Sequence, residues 1–248
     1  MIVLNLLTAF SPGCTAKPQA AANGVIIFVP GVNGDGPWYD DLKRGLRDGG
    51  VTLPIESFSW GAPAPLFMLN FNTVSIHERA ERNLADRLTT IQKAHPIAPI
   101  FILAHSAGGG VALGAMGRLD PDVLIDRVVL LHPSVSPKYD LSVPLMRVRH
   151  TLTHFHSDRD TAFLKWRTSN FGTYDNVKTT AAGNLCFDLS SLAAPMQARV
   201  TQIPYHRSYS ALSNSGGHFG PTARAFARAI VAPRLRMSVH DQSSSRAP

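Results

Sequence analysis

The sequence predicts an α/β protein with a mostly parallel central sheet and helices on both faces. Three observations carry that reading. From Gly24 onward, short apolar runs alternate with stretches of helical periodicity. The runs are near-continuously apolar and rich in β-branched residues, the pattern of strands covered on both sides. No internal repeat or linker breaks the alternation, so residues 24–232 read as one domain. With 248 residues, 44% of them hydrophobic, the chain can bury a core of that kind. Domains of this size hide roughly three quarters of the surface they expose when unfolded.

The elements follow in order along the chain. "GVIIFVPG" is the first buried strand. "PWYDDLKRGLRDGG" is a helix, with Pro37 near its start and two glycines to stop it. "LPIESFSW" is a strand of lower apolarity, so it belongs nearer an edge. "SIHERAERNLADRLTTIQKAH" is the longest helix. In it Ile76, Ala80, Leu84, Leu88 and Ile91 recur at helical spacing, and Pro96 ends it. "APIFILAH" is a third buried strand, and "AGGGVALGAMGRL" is a helix of small residues. "DRVVLLHP", "RHTLTHFHS" and "ARVTQIPY" are three further strands, and "PTARAFARAIVAP" is the last helix. Residues 167–198 show weak periodicity and read as an irregular excursion. Residues 233–248 read as a polar, disordered tail.

The formal charge is +7. The basic residues are scattered, and their densest groups ("RGLR", "RVRH", "PRLR") are not interleaved with aromatics, which argues against a nucleic-acid partner. Two cysteines, Cys14 and Cys186, make neither a metal cluster nor a disulfide framework. Cys186 reads as a buried small hydrophobe.

The chemistry centres on "AHSAGGG", residues 104–110. In parallel sheets reactive groups gather at the carboxyl ends of the strands, and Ser106 falls there. A strand that turns at once into a helix strains the serine and needs small residues two positions either side. Ala104 and Gly108 meet that need. The N–H of Ala107 then lies at a helix N-terminus, able to donate to a developing oxyanion. The plainer alternative is a helix-capping serine. "PGVNGDG", residues 30–36, follows the first strand and offers Val32 as a second N–H donor. It lacks the Lys-Ser/Thr of a phosphate loop. It also reads as an ordinary loop capped by Asn33 or Asp35.

A serine needs a base, and the base an orienting acid. His218, in a Gly-rich loop before the last helix, is the first choice, with His206 next. His132 and His156 end strands at the same edge. For the acid, Asp158 and Asp160 follow the fifth strand, and Asp140 follows the fourth.

"VIIFVPGVNGDG", "FILAHSAGGGVALG", "HFHSDRDTAFL" and "NSGGHFG" stand in the order of the α/β-hydrolase fold superfamily, which this chain resembles across residues 24–232. The resemblance implies Ser106 as nucleophile, His218 as base and Val32 and Ala107 as oxyanion donors. It favours Asp160 over Asp158 as the acid, because Ser157 supplies the small residue that often precedes that acid by three positions. It also implies hydrolysis of a small acyl ester or thioester, with no metal and no organic cofactor. An acyltransferase would use the same residues, and a non-catalytic envelope protein could use the same fold. The short segment 133–149 leaves no room for a large cap domain, and the apolar segment 61–75 either lines the acyl pocket or packs on the core.

Residues 1–23 read separately. An apolar run too short to span a bilayer leads to "GCTAKPQAA", which resembles a bacterial lipoprotein cleavage site and tether. That resemblance implies export, lipidation of Cys14 and membrane association through it. The alternative is a first strand, "IVLNLL", in a cytoplasmic protein.

Overall fold

The structure, a computed structural model, describes residues 22–63 and 66–236. The leader with Cys14, and the polar segment after Arg236, lie outside the described residues.

Six strands make one sheet, all parallel, in the order β2-β1-β3-β4-β5-β6. They are β1 (Val25–Val29), β2 (Ile55–Ser57), β3 (Ile100–His105), β4 (Ile125–Leu131), β5 (Val148–His156) and β6 (Val200–Pro204). The three-residue β2 lies at an edge, as its lower apolarity predicts. β1 and β3 are buried at every position.

Side-chain alternation along the strands sorts the core into two layers. Val25, Ile27, Val29, Ile100, Ile102 and Ala104 share one cluster with α2 (Val74–Ala94) and α3 (Gly108–Met116). Ile26, Phe28, Phe101 and Leu103 face the other side, against α1 (Asp40–Asp48) and the C-terminal segment. α1 follows a tight turn, Pro37–Tyr39, and carries Asp40 and Asp41 in its first turn and Arg47 in its last, which complements the helix dipole. In α2 the buried stripe runs through Ala80, Leu84, Leu88 and Ile91 as the spacing predicts. It opens on His77, however, while Ile76 is only half-buried. α4 (Ser142–Met146) is the only regular element between β4 and β5 among the described residues.

Three expectations are corrected. The last helix starts later than predicted and changes its bonding along its length: the extended Ala223 (ψ 137°) separates the tight turn Gly220–Thr222 from an unbroken helical run made of Arg224–Phe226, a wide turn, Ala227–Val231, and a tight turn, Ala232–Arg234. Pro221 and Pro233 each stand in the first positions of their tight turn, where no backbone N–H is needed. Position 233 does not begin a solvated tail, because Leu235 is 1% exposed and packs with Phe226 and Val231. Cys186 is exposed rather than buried. The chain there turns Asn184 and Phe187 inward and leaves Leu185 and Cys186 outward. The excursion around it includes α5 (Thr168–Phe171) and α6 (Ala194–Gln197), and it buries Tyr174, Ala181 and Ala182 over the end of the sheet.

Candidate active site

β3 ends at His105, and Ser106 follows with φ +55°. That left-handed conformation costs a residue with a Cβ roughly 1–3 kcal/mol. Backbone bonds hold it there. The Ser106 N–H donates to the Leu131 carbonyl at the end of β4, and the Ser106 carbonyl accepts from Gly109 and Ser134, all at 3.0 Å. α3 starts two residues on, packed against the end of β1. A Cβ at Gly108 would overlap the carbonyl oxygens of Val29 and Pro30, which is why that position is glycine.

Three side chains far apart in sequence meet at this rim. Ser106 Oγ lies 3.0 Å from His218 Nε2, and His218 Nδ1 lies 2.6 Å from Asp160 Oδ2. Because a carboxylate accepts, the His218 Nδ1–H donates to Asp160, and Nε2 is left to accept from the Ser106 hydroxyl. All three residues are buried.

Asp160 sits in the loop after β5. Burial alone would push the Asp160 carboxyl up, but the neighbouring His132 and His218 outweigh it and hold it below the usual carboxylate range. It therefore stays ionised beside the imidazole at neutral pH. Asn184, from the irregular excursion, clamps the loop: its Nδ2 donates to the carbonyls of Ser157 (2.8 Å) and Asp160 (3.1 Å). Asp158 and Asp140 do not join this group. Both are exposed, and Asp140 instead accepts from the Ser142 N–H at 2.9 Å.

The remaining histidines divide in the same way. His206 is exposed and bonds Ser208 locally. His156 is half-buried and stacks on His154. His132 is buried at the end of β4 with φ +45°, and its Nδ1 stands 3.5 Å from Asp160 Oδ2 without hydrogen-bond alignment. Burial lowers its pKa, against the opposing pull of Asp160. His132, Asp160 and His218 offer donor atoms within 4.8 Å of one another, the group that could hold a metal ion. An ion bound there would have to displace the Asp160–His218 hydrogen bond.

Two functional neighbours escaped the reading of the sequence. Tyr39, in the turn before α1, accepts from the Gly31 N–H at 3.0 Å, and its hydroxyl lies 2.7 Å from His105 Nδ1. His105 Nε2 is 3.0 Å from the His218 carbonyl oxygen, which can only accept, so Nε2 carries the proton. Burial keeps the His105 ring neutral, its pKa well below the ordinary value. Nδ1 then accepts from the Tyr39 hydroxyl. The chain Gly31–Tyr39–His105–His218 thus ties the loop after β1 to the backbone of the histidine. The one available signal was strand alternation, which puts residue 105 on the face opposite Ala104, the face of α1.

Further bonds fix that loop. Trp60 Nε1 donates to the Pro30 carbonyl (2.8 Å), and Asn70 Nδ2 donates to the Val32 carbonyl (2.9 Å). A cavity of about 350 Å³ opens over Ser106, and Val32 and Ala107 both line it. Its walls are largely aromatic: Trp38, Phe67, Phe71, Tyr174 and Phe219. The segment 61–75 therefore does both things open to it: Phe67, Met68 and Phe71 line the cavity, and the buried Asn70 packs inward.

Comparison with known proteins agrees with this architecture. A family model described as serine aminopeptidase, S33, matches residues 74–180. No protein of curated function matches. A solved acetylxylan esterase superposes with a TM-score of 0.50 at 12% identity, covering 87% of this chain and 100% of that one. A protein described as a predicted CIB-like hydrolase, from Thermoplasma acidophilum, gives 0.47 at 13% identity, covering 87% of each chain. A cutinase-like protein from Cryptococcus sp. gives 0.45 at 11%, covering 87% of this chain and 96% of that one. The six parallel strands with helices on both faces are the α/β-hydrolase fold.

Proposed function

We propose that this chain is a serine hydrolase of carboxylic ester or thioester bonds, working through an acyl-enzyme. The observation that carries the reading is the hydrogen-bonded line from Ser106 through His218 to Asp160, at 3.0 and 2.6 Å, with the serine strained at the strand end. In this reading His218 Nε2 takes the hydroxyl proton as Ser106 Oγ attacks the acyl carbon. Asp160 holds the ring and stabilises the imidazolium. The N–H groups of Val32 and Ala107 receive the oxyanion. The Gly31 N–H is already engaged by Tyr39, which is consistent with Val32 as the donor from this loop. His218 then protonates the departing alcohol or thiol, and water repeats the cycle to release the acid.

The matching family description names an aminopeptidase, and the cavity speaks against that substrate. A free α-amino group calls for a carboxylate, and no Asp or Glu stands among the described residues that line the cavity.

Labelling with a fluorophosphonate probe, alongside a chain-length panel of p-nitrophenyl esters, tests the proposal. Ser106→Ala should abolish labelling and lower turnover by at least ~10³. Equal labelling of both proteins, or a mild loss of turnover, would overturn it. Product analysis with an added alcohol acceptor separates hydrolysis from acyl transfer.

A further inference from the structure

We infer that the ester cleaved at Ser106 carries an anionic group, on its acyl or its alcohol side, that is received by Arg167. The inference rests on the reading of Ser106 as a nucleophile. Arg167 ends the wide turn Thr161–Arg167, which begins immediately after Asp160, and it lines the same cavity as Ser106 and His218. Its guanidinium carbon stands 3.5 Å from the centre of the Phe71 ring. Stacking occupies a face of the guanidinium and leaves its N–H donors, which lie in the plane, for a ligand.

Among the described residues nothing pairs with those donors. Other arginines of this chain show the contrast: Arg87 is held by Glu56, Arg118 by Glu81 and Arg224 by Asp48, at 2.6–2.7 Å. Arg167 has no such carboxylate, and the cavity lining supplies none. Burial pushes its pKa down to about 10, with no neighbouring charge acting to raise it, so it is still a cation at neutral pH. A half-buried, unpaired cation in an aromatic cavity is unfavourable in the empty protein. It becomes favourable once a ligand supplies an anion, because the same low-dielectric walls strengthen the pair. The surroundings define the rest of the ligand: an apolar chain or ring to fill the aromatic walls, ending in a carboxylate or similar anionic oxygen group.

Two substrate pairs test this in the full chain. In one the charge is on the acyl side, with p-nitrophenyl hydrogen adipate against p-nitrophenyl hexanoate. In the other it is on the alcohol side, with 3-carboxyphenyl against phenyl hexanoate. The readout is the charged-to-neutral ratio of kcat/KM in wild type, Arg167→Gln and Arg167→Lys. In at least one pair the ratio should fall about ten- to a hundredfold in the Gln variant, mainly through KM, and fall less in the Lys variant. The responding pair identifies the side that carries the charge. Ratios unchanged in both pairs would overturn the inference. A measurement on wild type alone guards against misfolded variants: 3-phenylpropionate should inhibit hydrolysis of the neutral ester more strongly than 3-phenylpropionamide does, and equal inhibition counts against Arg167. If wild type cleaves none of these esters, charged or neutral, in a Ser106-dependent way, the hydrolase reading itself has failed.

Discussion

Tyr39→Phe removes one oxygen atom and tests the network behind the site. Tyr39 is 1% exposed, and its ring packs edge-on against Phe28 with centroids 4.8 Å apart. Phenylalanine keeps that packing, so the loss is confined to the hydroxyl. Two buried groups lose their partner: the Gly31 N–H, bonded at 3.0 Å, and His105 Nδ1, at 2.7 Å. A buried polar group left unsatisfied costs about 1–3 kcal/mol. The two together therefore amount to about 2–6 kcal/mol, a large share of the roughly 5–15 kcal/mol that holds a domain folded. The variant should also turn over ester more slowly by about tenfold, largely in kcat, because the loop proposed to meet the oxyanion and the backbone of His218 both lose their tether. Urea unfolding followed by tryptophan fluorescence gives the first quantity, and p-nitrophenyl ester kinetics give the second. A stability change within about 0.5 kcal/mol, the range of an ordinary surface substitution, together with an unchanged kcat would refute the argument.

Two further outcomes are expected. Asp160→Asn should cut kcat by about 10³–10⁴, since an amide no longer selects the His218 tautomer or stabilises its cation, while Asp158→Asn, on an exposed side chain, should leave it within about twofold; steady-state kinetics decide, and comparable losses would return the choice of acid to open question. Stability should also fall with acid. Burial depresses the pKa of His105, His132 and His154, the last to about 3. In the unfolded chain these rings titrate near 6.5, so below that pH the unfolded state binds protons that the folded state refuses. Their stabilisation is fully present above about pH 6.5 and declines below it, by up to about 1.4 kcal/mol per pH unit for each ring. Urea midpoints measured from pH 7.5 to 5 should drop steadily, and a flat profile would contradict the neutral, buried state of these residues.

The features legible in the sequence were local ones. Strand, turn and small-residue helix around Ser106 are set by near neighbours, and Ala104 and Gly108 announce the close packing that the structure shows at Val29 and Pro30. The succession of strands along the chain followed from the same short-range patterns, as did the edge place of β2. What separates Asp160 from the exposed Asp140 and Asp158 in the structure is burial, and the loop that carries it is clamped by Asn184 from a stretch without periodicity. Tyr39 and His105 look like an ordinary helix-start aromatic and a strand-end histidine until a contact across 66 positions brings them together. Arg167 was one of many scattered cations, and only the folded chain sets it in the cavity, over Phe71 and away from any carboxylate. Cys186 was misplaced because composition says that cysteines are buried, while the irregular chain around it decides which side faces in.

The proposed mechanism also imposes a timetable on reactivity. The hydroxyl at 106 waits on a ring that arrives 112 residues later in the chain. During synthesis most of the sheet can emerge from the ribosome and pair while the serine is still chemically inert. Esterase signal in a refolding or translation time course would therefore report the docking of the segment around residue 218, and would lag behind every probe of the parallel strands.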